Sequence, residues 1–188
     1  MDPTRRSFLA TAALGAGGLL TLVSAAEAAT SARQINTDAG HALSRLYAAQ
    51  PKARDLAKKA NAVLVFPKIY KGGLILGGLS GDGVLRVDGK ASGYYNISAA
   101  SFGLQAGGQT YSFALFFMND KALKYLNDSD GWAIGSGPSV VVVDKGAAAS
   151  ITSTTLTQDV YAFAFGQKGL MAGLGLEGSK ITHIHPGK

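Results

Sequence analysis

The apolar residues of this chain follow two different periods, and the change comes near residue 61. In the first part, apolar side chains recur at steps of three and four, which is typical of one face of a helix. The residues of that face are Ile35, Ala39, Leu43, Leu46 and Tyr47. Thr30 or Ser31 is placed to cap this helix, and Pro51 suits the first position of a second helix that we expect to reach about Ala60.

The second part of the chain has the period of β-structure. A continuous apolar run from Ala62 to Phe66 predicts a strand that is buried on both faces and ends at Pro67. Asp88-Gly89 is a strong hairpin turn, and Asn119 is placed to cap a short helix from Lys121 to about Leu126. Tyr161, Phe163 and Phe165 alternate with alanines, which predicts a strand with three aromatic rings on one face. Further strands are expected at 74–76, 84–87, 94–97, 101–106, 111–118, 132–134, 140–143, 151–156, 170–176 and 181–185.

The order of these elements predicts the fold class. Helices come first and strands follow without βαβ alternation, which argues against a parallel sheet. We therefore expect an α+β fold in which N-terminal helices pack on a Gly-rich, curled antiparallel β-sheet, barrel- or sandwich-like. The chain has 25 glycines, many inside strand-like segments. Glycine there permits sharp curvature or the close approach of another backbone or a ligand, and we favour curvature.

The first 28 residues have the three parts of an export signal. Thr4-Arg5-Arg6-Ser7-Phe8-Leu9 has the twin-arginine core, an apolar stretch without charge follows, and Ala26-Glu27-Ala28 is a small-x-small cleavage site. The alternative is an N-terminal membrane anchor, which the many glycines and alanines disfavour. We expect a twin-arginine signal peptide over residues 1–28 and a single periplasmic domain over residues 29–188, free or associated with the membrane.

The charge of the chain bears on its partners. The formal net charge is +6, and it stays +6 without residues 1–28, because Arg5 and Arg6 are lost together with Asp2 and Glu27. Outside the cytoplasm the anionic partners are lipid head groups and other envelope polyanions, so we expect no nucleic acid partner. The chain has no cysteine, and its stability must come from packing without disulfides. No pattern in the sequence specifies an oligomeric state.

No arrangement of residues predicts an enzyme. Gly173-x-Gly175-x-x-Gly178 matches the dinucleotide fingerprint as a string, but it leaves no room for the helix and strand which that site needs. His183 and His185 would face the same way on a strand, yet a metal site would also require a distant ligand such as His41. We expect no catalytic residue, no metal and no cofactor, with a histidine-based metal enzyme or hydrolase as the less favoured alternative.

The short second helix has an apolar arc between cations. The arc comprises Ala53, Leu56, Ala57 and Ala60, and the cations beside it are Lys52, Arg54, Lys58 and Lys59. Lysines that flank an apolar stripe are typical of a helix at a membrane interface. The alternative is a helix that packs on its own sheet with solvated lysines. Because alanine buries little area, the pattern alone favours this alternative.

Four blocks of sequence carry a family resemblance over about residues 40–184. The blocks are Phe66-Pro67-x-x-x-Lys71-Gly72-Gly73 with Gly77-Gly78, Ser101-Phe102-Gly103-Leu104-Gln105-Ala106-Gly107-Gly108-Gln109, Met118-Asn119-x-Lys121-Ala122-Leu123, and Gly169-Leu170-Met171-Ala172-Gly173-Leu174-Gly175-Leu176-Glu177-Gly178. They resemble the SYLF domain, a lipid-binding family that occurs as bacterial exported proteins and in Ysc/Lsb-type proteins of the eukaryotic cortical actin machinery. The chain departs from the family's Gly-Trp-Ser at Gly93-Tyr94-Tyr95, which argues against carrying over the eukaryotic phosphoinositide and actin ligands.

The resemblance implies binding to a lipid surface through the basic N-terminal helical region, and it reverses the preference for solvated lysines. The implied lipid-binding residues are Lys52, Arg54, Lys58, Lys59, Lys68 and Lys71. The sequence therefore predicts a non-enzymatic periplasmic protein that binds anionic phospholipids, with shallow insertion of the apolar arc. The alternative is a structural or interaction protein that docks on another component of the cell envelope.

Overall fold

The computed structural model describes residues 31–73, 76–102, 107–143, 157–169 and 178–187. These residues form three helices and a curled half-barrel sheet, which confirms the α+β class. The helices are α1 (Ala32–Ala49), α2 (Pro51–Ala57) and α3 (Asp120–Asp128). The strands are β1 (Ala62–Gly73), β2 (Leu76–Val87), β3 (Lys90–Phe102), β4 (Gly107–Phe117), β5 (Trp132–Ala133), β6 (Val140–Val143), β7 (Val160–Gly169) and β8 (Lys180–Ile184).

The strand order in the sheet is β5-β8-β3-β2-β1-β4-β7-β6. Six of the strand pairings are antiparallel, but β6 runs parallel to β7. The expected curled antiparallel sheet is therefore present, with one parallel pair at its β6 end. Residues 144–159 separate these two strands in sequence, and a long connection of this kind is what a parallel pair requires.

Strand β1 lies near the middle of the sheet and contributes to two hydrophobic cores. Leu64 and Phe66 point to the core that includes α3 and the fully buried Trp132. Val63 and Val65 point to the opposite core, where α1 and α2 cover the sheet. The prediction that the run Ala62–Phe66 is buried on both faces is confirmed, because every residue in it is buried.

Pro67 does not end this strand, as the sequence had indicated, because β1 continues to Gly73. The register shifts between Phe66 and Ile69, so a β-bulge takes up the proline, which has no N–H for the ladder. The Ser112 hydroxyl donates a hydrogen bond of 2.7 Å to the Pro67 carbonyl at this point. Residues 76 and 84–87 likewise belong to one long strand, β2.

The packing of α1 matches its sequence pattern. Ile35, Ala39, Leu43 and Leu46 are buried against the sheet, and the Ser31 hydroxyl caps the helix by accepting from the Gln34 N–H at 3.2 Å. Arg86 of β2 anchors the same helix, because its guanidinium donates to the backbone carbonyl of Asn36 at 2.7 Å and to the Asn36 side chain at 2.6 Å.

The predicted hairpin turn, helix cap and aromatic strand face are all present in the described residues. Asp88 and Gly89 both have positive φ and form the β2–β3 hairpin turn as expected. Asn119 caps α3 by accepting from the Ala122 N–H, and the helix is slightly longer than predicted. Tyr161, Phe163 and Phe165 share the face that α1 and α2 cover. Residues 101–102 of the strand predicted at 101–106 form the end of β3. The described residues do not include 103–106, the strands predicted at 151–156 and 170–176, or the signal peptide predicted over 1–28.

Asp159 connects three elements of the fold. Its carboxylate accepts hydrogen bonds from the Asn119 amide at 2.8 Å and from the backbone N–H and hydroxyl of Ser139 at 2.9 and 3.0 Å. The backbone hydrogen bond from Ser139 contributes most to a lowered pKa of Asp159, followed by the side-chain hydrogen bonds. The ionised carboxylate therefore holds the cap of α3 to the start of β6 and β7.

We expect Asp159→Asn to lower the free energy of unfolding by about 1 kcal/mol at pH 7, a modest amount because solvent reaches this carboxylate. A carboxyl group with a lowered folded pKa stabilises above its unfolded value of about 4, and this contribution disappears as the pH falls through the folded pKa. Thermal unfolding from pH 7 to pH 3 should therefore show the variant and the wild type converging in acid. A difference that is independent of pH would contradict the assignment.

Gly83 permits the close approach of β2 to the bulge of β1. A Cβ atom at this position would lie 2.5 Å from both the Phe66 ring and the Val65 carbonyl oxygen. We expect Gly83→Val to lower the free energy of unfolding by about 1–3 kcal/mol, measured by urea denaturation. Gly108→Val is the control, because a Cβ there has no heavy atom within 4 Å. Equal losses in the two variants would rule out steric crowding as the cause.

Candidate functional site

The six cations predicted to bind lipid fall into two groups in the structure. Lys52, Arg54, Lys58 and Lys59 surround α2 next to the start of β1, and we call them the α2 cations. Lys68 and Lys71 lie toward the far end of β1. Residues 62 and 70 are separated by about 25 Å at the usual rise of a strand. The structure therefore does not gather the six cations into one cluster.

The α2 cations are all exposed. The Lys58 ammonium lies 3.3 Å from the Asp55 carboxylate, and both side chains remain largely in solvent. The Arg54 guanidinium lies over the Tyr47 ring, 5.8 Å from its centroid. Exposed ion pairs of this kind contribute little to stability, so the Asp55 carboxylate does not prevent Lys58 from binding an external anion.

The apolar arc of α2 is not available for membrane insertion, and that part of the prediction was wrong. Ala53 and Leu56 are buried at 0% and 3% exposure in the core beneath α1. The partly buried Ala57 and Ala60 pack against the same core. The helix also ends at Ala57 instead of Ala60, because the Lys59 and Ala60 N–H groups both bond to the Leu56 carbonyl and turn the chain toward β1.

The two cations of β1 have different surroundings. Lys71 is buried at 8% exposure and pairs in register with Leu79 of β2 and Gln109 of β4. Lys68 is exposed, and its ammonium lies 4.6 Å from the centroid of the Tyr70 ring. Only Lys68 of this pair therefore presents its charge to solvent.

Lys68 belongs to a surface that sequence reasoning missed. We call it the distal patch and define it as Lys68, Tyr70, Leu76 and Lys168. Tyr70 is 58% exposed and Leu76 is 67% exposed, which makes them the most exposed large apolar side chains among the described residues. Lys168 of β7 reaches the patch because Thr110 of β4 pairs with Tyr70 on one side and with Lys168 on the other. These residues are distant in sequence, and only the strand register brings them together.

A shallow cleft of about 500 Å³ lies beside the distal patch and shares Tyr70 and Lys168 with it. Its floor includes Gly72, Gly78 and Gly108, which stand side by side in register on β1, β2 and β4. The remaining lining residues are Tyr70, Lys71, Leu79, Ser80, Gln109, Thr110 and Lys168. The lining contains two lysines and no acidic residue.

The histidines considered for a metal site do not form one in the described residues. The rings of His183 and His185 are near each other, with centroids 4.8 Å apart, and His183 also meets the Tyr95 ring edge-on. Within the described ranges, however, no group of three or more histidine, cysteine, aspartate or glutamate side chains is arranged to hold a metal ion. The same residues contain no helix that is both long and apolar enough to span a membrane.

Burial raises the pKa of three tyrosines. The pKa of Tyr111 rises to about 12 because its side chain on β4 is buried in the core. Burial also raises the pKa of Tyr95. At Tyr47 burial outweighs the opposing charges of Arg86 and Arg54, so the pKa is again raised. These phenols stay neutral near pH 7, and none supplies an anion beside the cations.

Residues 98–185 match the family Ysc84, described as Las17-binding protein actin regulator. Ysc84 is another name for the SYLF domain family. The match confirms the resemblance found in the sequence. A search of curated proteins finds no match to this chain.

The Ysc84 segment begins within β3 and ends just beyond β8. It therefore includes Lys168 of the distal patch, whereas the α2 cations, Lys68 and Lys71 precede it. The two candidate surfaces thus differ in their relation to the family match. The α2 cations rest on the charge pattern, and the distal patch joins residues from both sides of the boundary.

We expect Leu56→Ala to act on stability and not directly on any surface. Removal of a nearly fully buried leucine should lower the free energy of unfolding by about 2–5 kcal/mol in urea denaturation. The exposed neighbour Lys58→Ala should change it by less than about 0.5 kcal/mol. A Leu56→Ala variant as stable as the wild type would show that the arc is not part of the core.

Proposed function

We propose that this protein is a non-enzymatic lipid-binding protein that associates with anionic phospholipid surfaces through its α2 cations. The observation that carries the proposal is the exposure of Lys52, Arg54, Lys58 and Lys59 around a helix whose apolar side is already buried. Such a helix contacts the head groups by charge, without shallow insertion of its own. The Ysc84 match supports an interaction domain of the lipid-binding or actin-regulator type.

The charge of the whole chain supports the same function. With a net charge of +6, the protein is attracted to a negative membrane surface, and each basic residue near that surface contributes about 1 kcal/mol. This attraction decays over a Debye length of about 8 Å at physiological salt. Binding should therefore weaken steeply as salt is added.

The compartment is part of the proposal. The twin-arginine signal at residues 1–28 directs the domain to the periplasm, where the anionic surfaces are envelope lipids. Twin-arginine export usually transports folded proteins. A domain without cysteine is suited to folding before export, because it needs no disulfide to form on the far side of the membrane.

Co-sedimentation of residues 29–188 with vesicles tests this function. We expect binding to phosphatidylcholine vesicles that contain phosphatidylglycerol, little binding to phosphatidylcholine alone, and release by added salt. The double variant Lys58→Glu/Lys59→Glu should weaken the binding to anionic vesicles by about tenfold or more, since attraction at two positions becomes repulsion. Equal, salt-insensitive binding to both kinds of vesicle would overturn the proposal.

The matched control is Lys121→Glu/Lys124→Glu on α3. It changes the net charge by the same amount, and Lys124 pairs with Asp128 as Lys58 pairs with Asp55. Helix α3, however, packs against the core on the other face of the sheet. A control variant that binds as weakly as the α2 variant would show that total charge, and not the α2 surface, governs binding.

A protein–protein role is the second candidate, and two observations favour it. The matched family is described by a protein partner, Las17. In addition, β6 is the last strand of the described sheet and exposes Val141 and Val142. An exposed apolar edge strand suits the addition of a strand from another chain. Retention of lipid binding in the Lys58→Glu/Lys59→Glu variant would favour this candidate.

A further inference from the structure

The distal patch lies on the same face of the sheet as α1 and α2. Thr110 alternates along β4 with Ser112, Ala114 and Phe116, and the last two pack in the core beneath these helices. Tyr70 pairs with Thr110, so its ring opens on that face beyond the helices. The α2 cations and the distal patch therefore belong to the same face of the sheet.

The patch has the layout of an interfacial surface. Along β2, Leu76, Gly78 and Ser80 point to one face, and Tyr70 pairs with Ser80. The glycine row thus lies between the two exposed apolar side chains, and its three residues add no side chain to the surface between them. Lys68 and Lys168 lie at the end of this surface where Tyr70 lies. Two apolar groups with cations beside them match the boundary between acyl chains and phosphates.

The sheet topology argues against a peptide strand as the occupant of this surface. Strand β1 pairs with β2 on one side and β4 on the other, down to Gly72 and Gly73. The backbone groups of β1 at Tyr70 and the glycines are therefore already used in the sheet, and among the described strands β1 offers no edge for a strand to add. An anionic partner also suits the patch, whose charged side chains are Lys68 and Lys168, beside a cleft lining that includes no acidic residue.

We propose that the distal patch inserts into the interface of an anionic bilayer, with Tyr70 and Leu76 below the phosphates and with Lys68 and Lys168 bound to them. The inference rests on the proposed function and adds to it an insertion site that the sequence did not indicate. The α2 cations then supply attraction at a distance, and the patch supplies the apolar contact that the buried arc of α2 does not.

A fluorescent probe at each surface tests the insertion. Trp132 is the only tryptophan and is fully buried, so it provides a constant background. In Leu76→Trp, we expect a blue shift and quenching by brominated acyl chains when vesicles containing phosphatidylglycerol are added. Tyr125→Trp is the control, because Tyr125 is an exposed aromatic residue on α3, at the other face of the sheet. It should show neither change.

The outcomes separate this inference from the proposed function. If the protein sediments with anionic vesicles but the Leu76→Trp emission does not move, insertion by the patch is wrong and the proposed function stands. If the protein fails to sediment at all, both are wrong. An equal response of the Tyr125→Trp control would place the contact elsewhere and also overturn the inference.

Loss-of-contact variants give a second readout. Leu76→Ser should weaken vesicle binding by about tenfold at every salt concentration, because it removes apolar contact and no charge. Lys68→Gln/Lys168→Gln should instead reduce the dependence of binding on salt. Thermal unfolding confirms that the variants are folded, as expected for exposed positions. Wild-type affinity in Leu76→Ser would contradict the inference.

Discussion

The burial of β1 on both faces is the constraint on which the rest of the structure depends. Both faces of an apolar strand in the middle of a sheet must be covered by other elements, and here different elements pack on the two faces. Helices α1 and α2 close one face, while α3 and the region of Trp132 close the other. The position of α2 follows from this demand, because Leu56 is needed in the core under α1. A helix used in this way has only its charged side left for other contacts.

The functional proposal follows from this position of α2, which leaves only its charged side exposed. In an interfacial helix, one element supplies both apolar contact and charge. In this protein the two contributions come from different elements, with cations on α2 and exposed apolar side chains at the end of β1 and the start of β2. Both lie on one face of the sheet. The Ysc84 match is consistent with an interaction domain and does not by itself distinguish lipid from protein.

Local patterns in the sequence were enough to predict much of the fold. The face of α1, the caps at Ser31 and Asn119, and the turn at Asp88-Gly89 depend on neighbouring residues, and all are present. The predicted end of β1 at Pro67 was wrong because the bulge that accommodates proline depends on the partner strands. The distal patch could not be predicted for the same reason. Lys168 joins Tyr70 only through the register of β4, which no local pattern encodes.

The aligned glycines also give the two ends of β1 different local stabilities. Near Leu64, each backbone hydrogen bond of the strand is shielded by side chains from both cores. Near Gly72 and Gly73 the residues paired on both neighbouring strands are also glycines, so these residues have no side chains to shield the backbone hydrogen bonds from water. Amide hydrogens along this one strand should therefore exchange at very different rates, slowly at its start and quickly at its end. A strand rigid at one end and yielding at the other can adapt its tip to a partner while its core stays fixed.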